Sequence, residues 1–120
     1  MHTLAVVLIL LVAALHLYFL TLEMFLWQKP LGLKTFNNTP EKAATTALLA
    51  ANQGLYNGFL TAGLLWALTS DAELVPRATF FLCCVVAAGA YGAWSVSRRI
   101  FVVQALPALL ALAALWAPQR

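Results

Sequence analysis

The amino-acid sequence predicts an all-α integral membrane protein, a four-helix bundle with both termini on the non-cytoplasmic side. Hydrophobic residues make up 63% of the 120-residue chain and charged residues only 9%, whereas a soluble domain has roughly 45–50% apolar and about 25% charged residues. A bilayer is the solvent that accommodates such a composition. The apolar runs are continuous and rich in Leu and Ala rather than alternating, which indicates helices instead of a β-barrel.

Four apolar segments, each close to the roughly 20 residues that a transmembrane helix needs, form a single predicted membrane domain covering the whole chain. Their predicted bounds are residues 3–27, 43–68, 76–96 and 100–116. The start of the second helix carries three signals: Thr39 as a capping hydroxyl, Pro40 in the first turn and Glu41 near the positive end of the helix dipole. In the last span, Pro107 cannot donate to the carbonyl of Val103, so we expect a kink there.

The basic residues predict the orientation. Five of the seven lie in or beside the first and third connections, which share one side of the membrane: Lys29, Lys34, Lys42, Arg98 and Arg99. The opposite side holds only Arg77 and Arg120. By the positive-inside rule, both termini therefore face away from the cytoplasm. The tryptophans fall where an aromatic belt is expected, with Trp27 and Trp94 at cytoplasmic ends and Trp66 and Trp116 at outer ends.

Several function classes find no support in the sequence. It contains no Gly-rich phosphate loop, no zinc-ligand spacing and no hydrolase nucleophile motif. The net charge of +3 is explained by basic loops beside anionic lipid, so no nucleic-acid partner is predicted. Cys83 and Cys84 are neighbours that point about 100° apart on a helix, so we expect packing residues rather than a metal site. No cofactor can be named.

Small residues four apart predict close helix contacts. Gly54, Gly58 and Ala62 share one face of the second span, and Ala88 and Gly92 share a face of the third. Such faces let helix backbones approach closely in lipid. We therefore expect the second and third spans to pack together through Gly58 and Gly92. The alternative is a seam between two copies of the chain in a homodimer.

Polar side chains inside the predicted spans indicate a ligand-binding site, because they are costly in lipid and usually face the bundle interior. The candidates are His16, Glu23, Asn52, Gln53, Tyr56, Asn57, Tyr91 and Gln104. With a rise of about 1.5 Å per residue, most of them fall at the middle of the bilayer or in its cytoplasmic half. This asymmetry predicts one polar cavity near the cytoplasmic side.

His16 and Glu23 are the candidate ionisable pair. They are seven residues apart, so they share a helix face at a separation of roughly 10.5 Å and could bracket a ligand or a water chain. The alternative for Glu23 is a surface ion pair with one of three basic residues: Lys29, Arg98 or Arg99. The alternative for His16 is a helix-to-helix hydrogen bond.

Four motifs follow one another along the chain: HLYFLTLEMFLW at residues 16–27, NQGLYNGFL at 52–60, GAYGA at 89–93 and QALPA at 104–108. In this order they resemble the signatures of the domain-of-unknown-function 1304 family of small prokaryotic membrane proteins. Ser95 stands where that pattern has threonine, which keeps the hydroxyl. The resemblance implies four spans in a prokaryotic inner membrane and supplies no settled activity.

Three functions stay open at this point. The first is binding or transport of a small lipid-soluble ligand, with Glu23 and His16 as ionisable contacts and the amides of the second span setting its orientation. The second is an intramembrane enzyme, such as an isomerase acting on a lipid or isoprenoid, in which the same pair serves as catalytic acid and base. The third is a structural or assembly subunit without a ligand.

Overall fold

The computed structural model describes residues 3–118, and this range is helical without any strand. The helices, in chain order, are α1 (Thr3–Met24), α2 (Pro30–Thr35), α3 (Pro40–Ala67), α4 (Leu74–Ser95) and α5 (Arg98–Trp116). The prediction of an all-α chain is confirmed. Arg120, which contributed to the predicted orientation, lies outside the described residues.

Within residues 3–118, three helices are long and apolar enough to cross a membrane, namely α1, α4 and α5. Helix α3 is the longest at 28 residues, which corresponds to about 42 Å. It is also the least apolar of the long helices, because its middle carries Asn52, Gln53 and Asn57. Composition and length therefore support a membrane protein, and α3 differs from the other long helices through the amides that the sequence marks as candidate ligands.

The described chain forms two compact bodies. The larger body comprises residues 3–15 and 60–118, and the smaller body is His16–Phe59. The core of the larger body consists of closely packed apolar side chains, with Ile9, Leu64 and Leu82 fully buried. Because lipid tails are as apolar as these side chains, close van der Waals packing rather than escape from water holds such a core together.

Helix α1 ends at Met24, three residues before the predicted end at Trp27. The N–H groups of Phe25 and Leu26 both donate to the carbonyl of Thr21, at 3.0 and 3.1 Å, which closes the helix. Pro30 then restricts Lys29, the residue before it, to an extended conformation (φ −86°, ψ 161°). The chain therefore leaves the axis of α1 before Trp27.

Short helix α2 occupies part of the stretch that the sequence predicts to be a connection. Pro30 suits the first turn of a helix because its missing N–H is not needed there. Gly32 is buried against the backbone of Leu26: a Cβ at this position would overlap the Leu26 carbonyl oxygen and lie 2.8 Å from its carbonyl carbon. Only glycine permits this approach, which folds α2 back onto the end of α1.

Helix α3 begins at Pro40, as the Thr39-Pro40-Glu41 pattern predicts. The Thr39 hydroxyl accepts a hydrogen bond from the backbone N–H of Lys42 at 3.2 Å, and the Thr39 carbonyl accepts the N–H of Ala43 at 2.9 Å. These contacts satisfy groups that a helix start would otherwise leave unpaired.

Helix α5 contains a π-helical segment, Phe101–Ala105, just before Pro107. The N–H of Leu106 donates to the carbonyl of Phe101, five residues back. Pro107 has no N–H to offer the carbonyl of Val103, and a wider π turn is one established way for a helix to absorb such a gap. The local disturbance predicted at Pro107 is therefore present as a π segment.

The predicted contact between Gly58 and Gly92 is wrong. A Cβ on Gly58, in the smaller body, would meet the Leu20 side chain of α1 at 2.8 Å. A Cβ on Gly92, in the larger body, would meet the Ile100 side chain of α5 at 2.7 Å. Both glycines do mark close helix contacts, but each faces a helix other than the one we expected.

Candidate functional site

The smaller body contains a buried carboxylate that is held by two amides. Glu23, in the last turn of α1, is only 4% exposed. Its Oε2 accepts a hydrogen bond from Nε2 of Gln53 at 2.6 Å, and its Oε1 accepts one from Nδ2 of Asn57 at 2.5 Å. Gln53 and Asn57 are one turn apart on α3, so their side chains extend from the same face. The partners of Glu23 in the structure are thus amides rather than the basic residues considered as an alternative.

Gly54 lets α1 and α3 come close enough for these bonds. A Cβ there would lie 2.6 Å from Cγ of Met24 and 3.2 Å from both Cβ of Glu23 and the carbonyl oxygen of Leu20. With no side chain at this point, the amide of Gln53 beside it reaches the carboxylate. The local sequence Asn-Gln-Gly therefore combines a hydrogen-bond donor with the gap that it needs.

A partly open cavity of about 300 Å³ adjoins Glu23. Its lining combines an acid, a base, an amide and apolar walls: Glu23, Met24, Phe25, Trp27, Gln28, Lys29 and Ala47. The volume is near the lower end of the range for small-molecule sites, which are mostly apolar with a few placed polar groups. The cavity has the size and chemistry to hold the polar end of a small amphiphile.

One wall of the cavity is fixed by Trp27. Its indole Nε1 donates to the Thr46 hydroxyl of α3 at 3.1 Å, and its ring packs against Phe36 with centroids 4.9 Å apart. Together with the tight backbone contact at Gly32, these contacts hold the segment between α1 and α2 against the start of α3. The cavity is thus built on ordered elements.

His16 does not line this cavity. It is fully buried within α1 and makes an edge-to-face contact with Phe19 at 5.2 Å between ring centroids. The structure places His16 and Glu23 on one helix, as predicted from their spacing, but only Glu23 borders the cavity.

The other candidates belong to both bodies. Asn52 is exposed on α3, and Tyr56 is 65% exposed with its ring edge-on to Phe59. Tyr91 is 68% exposed on α4, and Gln104 is half-buried in the π segment of α5. The last two belong to the larger body, so a single cavity shared by all the candidates stays a prediction.

Sequence reasoning missed most of the cavity wall. It assigned Trp27 to an aromatic belt and Lys29 to an orienting basic loop, and it gave Gln28 and Ala47 no role. The available signal was Lys29-Pro30 followed by Gly32, since proline directs the preceding residue to an extended conformation and favours the first turn of a helix. That pattern indicates a fold-back rather than an open connection.

The fold and the site define a small helical protein whose described residues include three helices long and apolar enough to cross a membrane and a buried acid–amide cluster. A family model described as "protein of unknown function (DUF1304)" matches residues 10–116. The chain belongs to this family, which confirms the resemblance found in its motifs. A similar protein is the uncharacterized protein YpaA of Lactococcus lactis subsp. lactis (strain IL1403), 29% identical over 114 residues, which are 93% of this chain and 96% of that protein. No solved structure matches.

Proposed function

We propose that this protein is a four-span protein of a prokaryotic inner membrane that binds or transports a small lipid-soluble ligand at Glu23. The observation that carries the proposal is the buried Glu23 carboxylate beside a cavity of about 300 Å³. The amides of Gln53 and Asn57 orient the carboxylate, and the cavity receives the polar part of the ligand.

The cost of burying a carboxylate favours a functional role over packing. The effective penalty of desolvating such a group is several kcal/mol, and an ionisable residue inside a membrane segment is by default a hypothesis of a functional site. Each oxygen of Glu23 accepts one hydrogen bond in the structure, whereas a carboxylate offers about four acceptor positions. Acceptor capacity is thus left for a donor group on a ligand.

Filling the cavity should remove the ligand. Ala47 lines the cavity, so Ala47→Phe should occupy part of its volume and reduce the lipophilic compounds that co-purify with the protein by roughly tenfold, about 1.4 kcal/mol. The measurement is quantitative mass spectrometry of organic extracts of the protein purified in mild detergent.

Ala44→Phe is the matched control for this experiment. Ala44 lies one turn earlier on α3, is exposed and does not line the cavity. The Ala44→Phe variant should therefore retain the wild-type amount of co-purifying lipophilic compounds. If Ala47→Phe folds and retains as much as Ala44→Phe, the cavity is not the binding site.

A separate measurement distinguishes a transporter from an enzyme. If uptake of the compound into vesicles driven by a pH gradient depends on Glu23, the protein is a transporter. Chemical conversion of the compound without a gradient would indicate the enzyme alternative.

The four-span topology with both termini outside predicts the accessibility of the connections. Lys34 and Ala72 are both exposed, and they lie in the first and second connections. In a background in which Cys83 and Cys84 are alanine, a membrane-impermeant maleimide should label Ala72→Cys in intact cells and Lys34→Cys only after permeabilisation. The length of α3, 28 residues, supports its role as the remaining span. Labelling of Lys34→Cys from outside would refute the orientation.

A further inference from the structure

We propose that the ligand of the Glu23 cavity is an amphiphile with a zwitterionic phospho-amine headgroup, of the phosphatidylethanolamine class. Its primary ammonium binds at Glu23 and its phosphate binds at Lys29. This inference rests on the proposed function, and it specifies the headgroup that the cavity selects.

The two opposite charges that line the cavity disfavour ligands that carry charge of only one sign. Glu23 and Lys29 both border the same space of about 300 Å³. An amphiphile with only a positive charge would bind Glu23 and be repelled by Lys29. An amphiphile with only a negative charge would bind Lys29 and be repelled by Glu23. Like-charge contacts of this kind are a common source of specificity. A headgroup that carries both charges neutralises both side chains at once.

The unused acceptor positions of Glu23 favour a primary ammonium over a trimethylammonium group. Gln53 and Asn57 occupy one acceptor position on each carboxylate oxygen, so the carboxylate keeps further positions for N–H donors. A primary ammonium has three N–H donors to match this set. A trimethylammonium group has no N–H donor and would leave these acceptor positions unpaired.

Lys29 and Gln28 supply the donors for a phosphate. Both line the cavity and both are exposed. A lysine ammonium binds phosphate as a point charge with three rotatable donors, and the Gln28 amide adds further N–H groups. The ammonium and phosphate ends of one headgroup thus each have a partner of opposite charge in the cavity lining.

Exposed apolar side chains on α1 argue for a lipid rather than a free phospho-amine. Leu17 lies two turns before the lining residue Met24 and on the same strip of the surface of α1. The side chains of Leu17 and its neighbour Tyr18 are 51% and 46% exposed. This strip leads from the cavity along the apolar helix, where acyl chains attached to a bound headgroup would lie.

The test is competition between lipids with identical acyl chains. The purified protein is equilibrated in mixed micelles with equal amounts of phosphatidylethanolamine, its monomethyl and dimethyl derivatives, phosphatidylcholine and phosphatidylglycerol, and bound lipid is counted by native mass spectrometry. Phosphatidylethanolamine should be enriched about tenfold over phosphatidylcholine and phosphatidylglycerol, which corresponds to about 1.4 kcal/mol. Occupancy should fall stepwise as N–H donors are replaced by methyl groups.

Three variants assign the selectivity to its residues. Glu23→Gln should abolish the preference for phosphatidylethanolamine over phosphatidylcholine, and Lys29→Gln should weaken the binding of both. Lys34→Gln removes a charge from the same connection but not from the cavity, so it should keep the wild-type pattern.

The outcomes separate this inference from the proposed function. Equal enrichment of all the headgroups, still abolished by Ala47→Phe, would refute the headgroup assignment while leaving the binding site in place. Enrichment of phosphatidylglycerol, or displacement of bound lipid by free phosphoethanolamine at similar concentration, would also overturn it. If wild type and Ala47→Phe retain the same small amount of every lipid, both proposals fail.

Discussion

Gly32→Ala should destabilise the smaller body by about 2–3 kcal/mol, near the upper end of ordinary overpacking. The new Cβ would overlap the Leu26 carbonyl oxygen and lie 3.1 Å from Cα of Trp27. Alanine is better than glycine within a helix by about 1 kcal/mol, but this gain is smaller than the clash. Because the obstructing atoms belong to the backbone, α2 must move as a whole. Thermal unfolding of the purified variant in detergent, followed by circular dichroism, measures the loss.

Gly58→Ala is the control within the same body. A Cβ at Gly58 would meet only Cδ1 of Leu20 at 2.8 Å, the end of a side chain that can change rotamer. The free-energy cost of moving this side chain and the gain from the better helix propensity of alanine should nearly cancel. The free energy of unfolding of this variant should therefore stay within about 0.5 kcal/mol of wild type. Equal stability of the two variants would show that α2 does not rest on Leu26 as the structure has it.

The α-helical fold is readable from the sequence because its signals are local. Continuous apolar runs identify α1, α4 and α5, and the Thr39-Pro40 pattern places the start of α3. The end of α1 and the presence of α2 were missed for a different reason. They depend on the absence of a side chain at Gly32, which permits a backbone contact with a residue six positions away. The apolar pattern carries no information about such a contact.

The sequence predicts which polar residues belong to the candidate site, but not which of them contact one another. Glu23, Gln53 and Asn57 were all among the candidates, yet which of them touch depends on how α1 and α3 are rotated about their axes. Gly54 and Gly58 contain that information, since both lie against α1. A small residue indicates that another helix approaches closely but does not identify that helix, which is why we expected Gly58 to face α4 instead.

Tyr56 illustrates a second limit on predicting the site from the sequence. It lies between Gln53 and Asn57 in the sequence, but its side chain is 65% exposed, whereas Asn57 is 9% exposed. A tyrosine on an apolar helix is tolerated on either side, because its ring suits lipid and its hydroxyl suits a polar cavity. Amides are no surer guide, since Asn57 is buried whereas Asn52 and Gln53 on the same helix are exposed.

The Glu23 cluster should be energetically coupled, in contrast to an ordinary hydrogen bond between membrane helices. In Glu23→Gln the side chain keeps its shape, but the new amide nitrogen must face one of the two donors from Gln53 and Asn57. The loss of one bond and of the negative charge should cost about 1.5–3 kcal/mol, the value for hydrogen bonds to charged groups. Reversible unfolding in mixed micelles measures this free energy for Glu23→Gln, Asn57→Leu and the double variant.

The double variant should be more stable than the sum of the single changes predicts, by about 1 kcal/mol or more, because Asn57→Leu removes the donor that clashes with the new amide. Thr61→Val supplies the comparison. The Thr61 hydroxyl donates to the Ala13 carbonyl at 2.9 Å, a neutral bond within the larger body that should be worth about 0.6 kcal/mol. Its loss should add simply to that of Glu23→Gln, since the two sites share no partner. Additive losses for Glu23→Gln and Asn57→Leu would mean that the carboxylate and the amide are not energetically coupled. The acid–amide cluster would then not be a preorganised site.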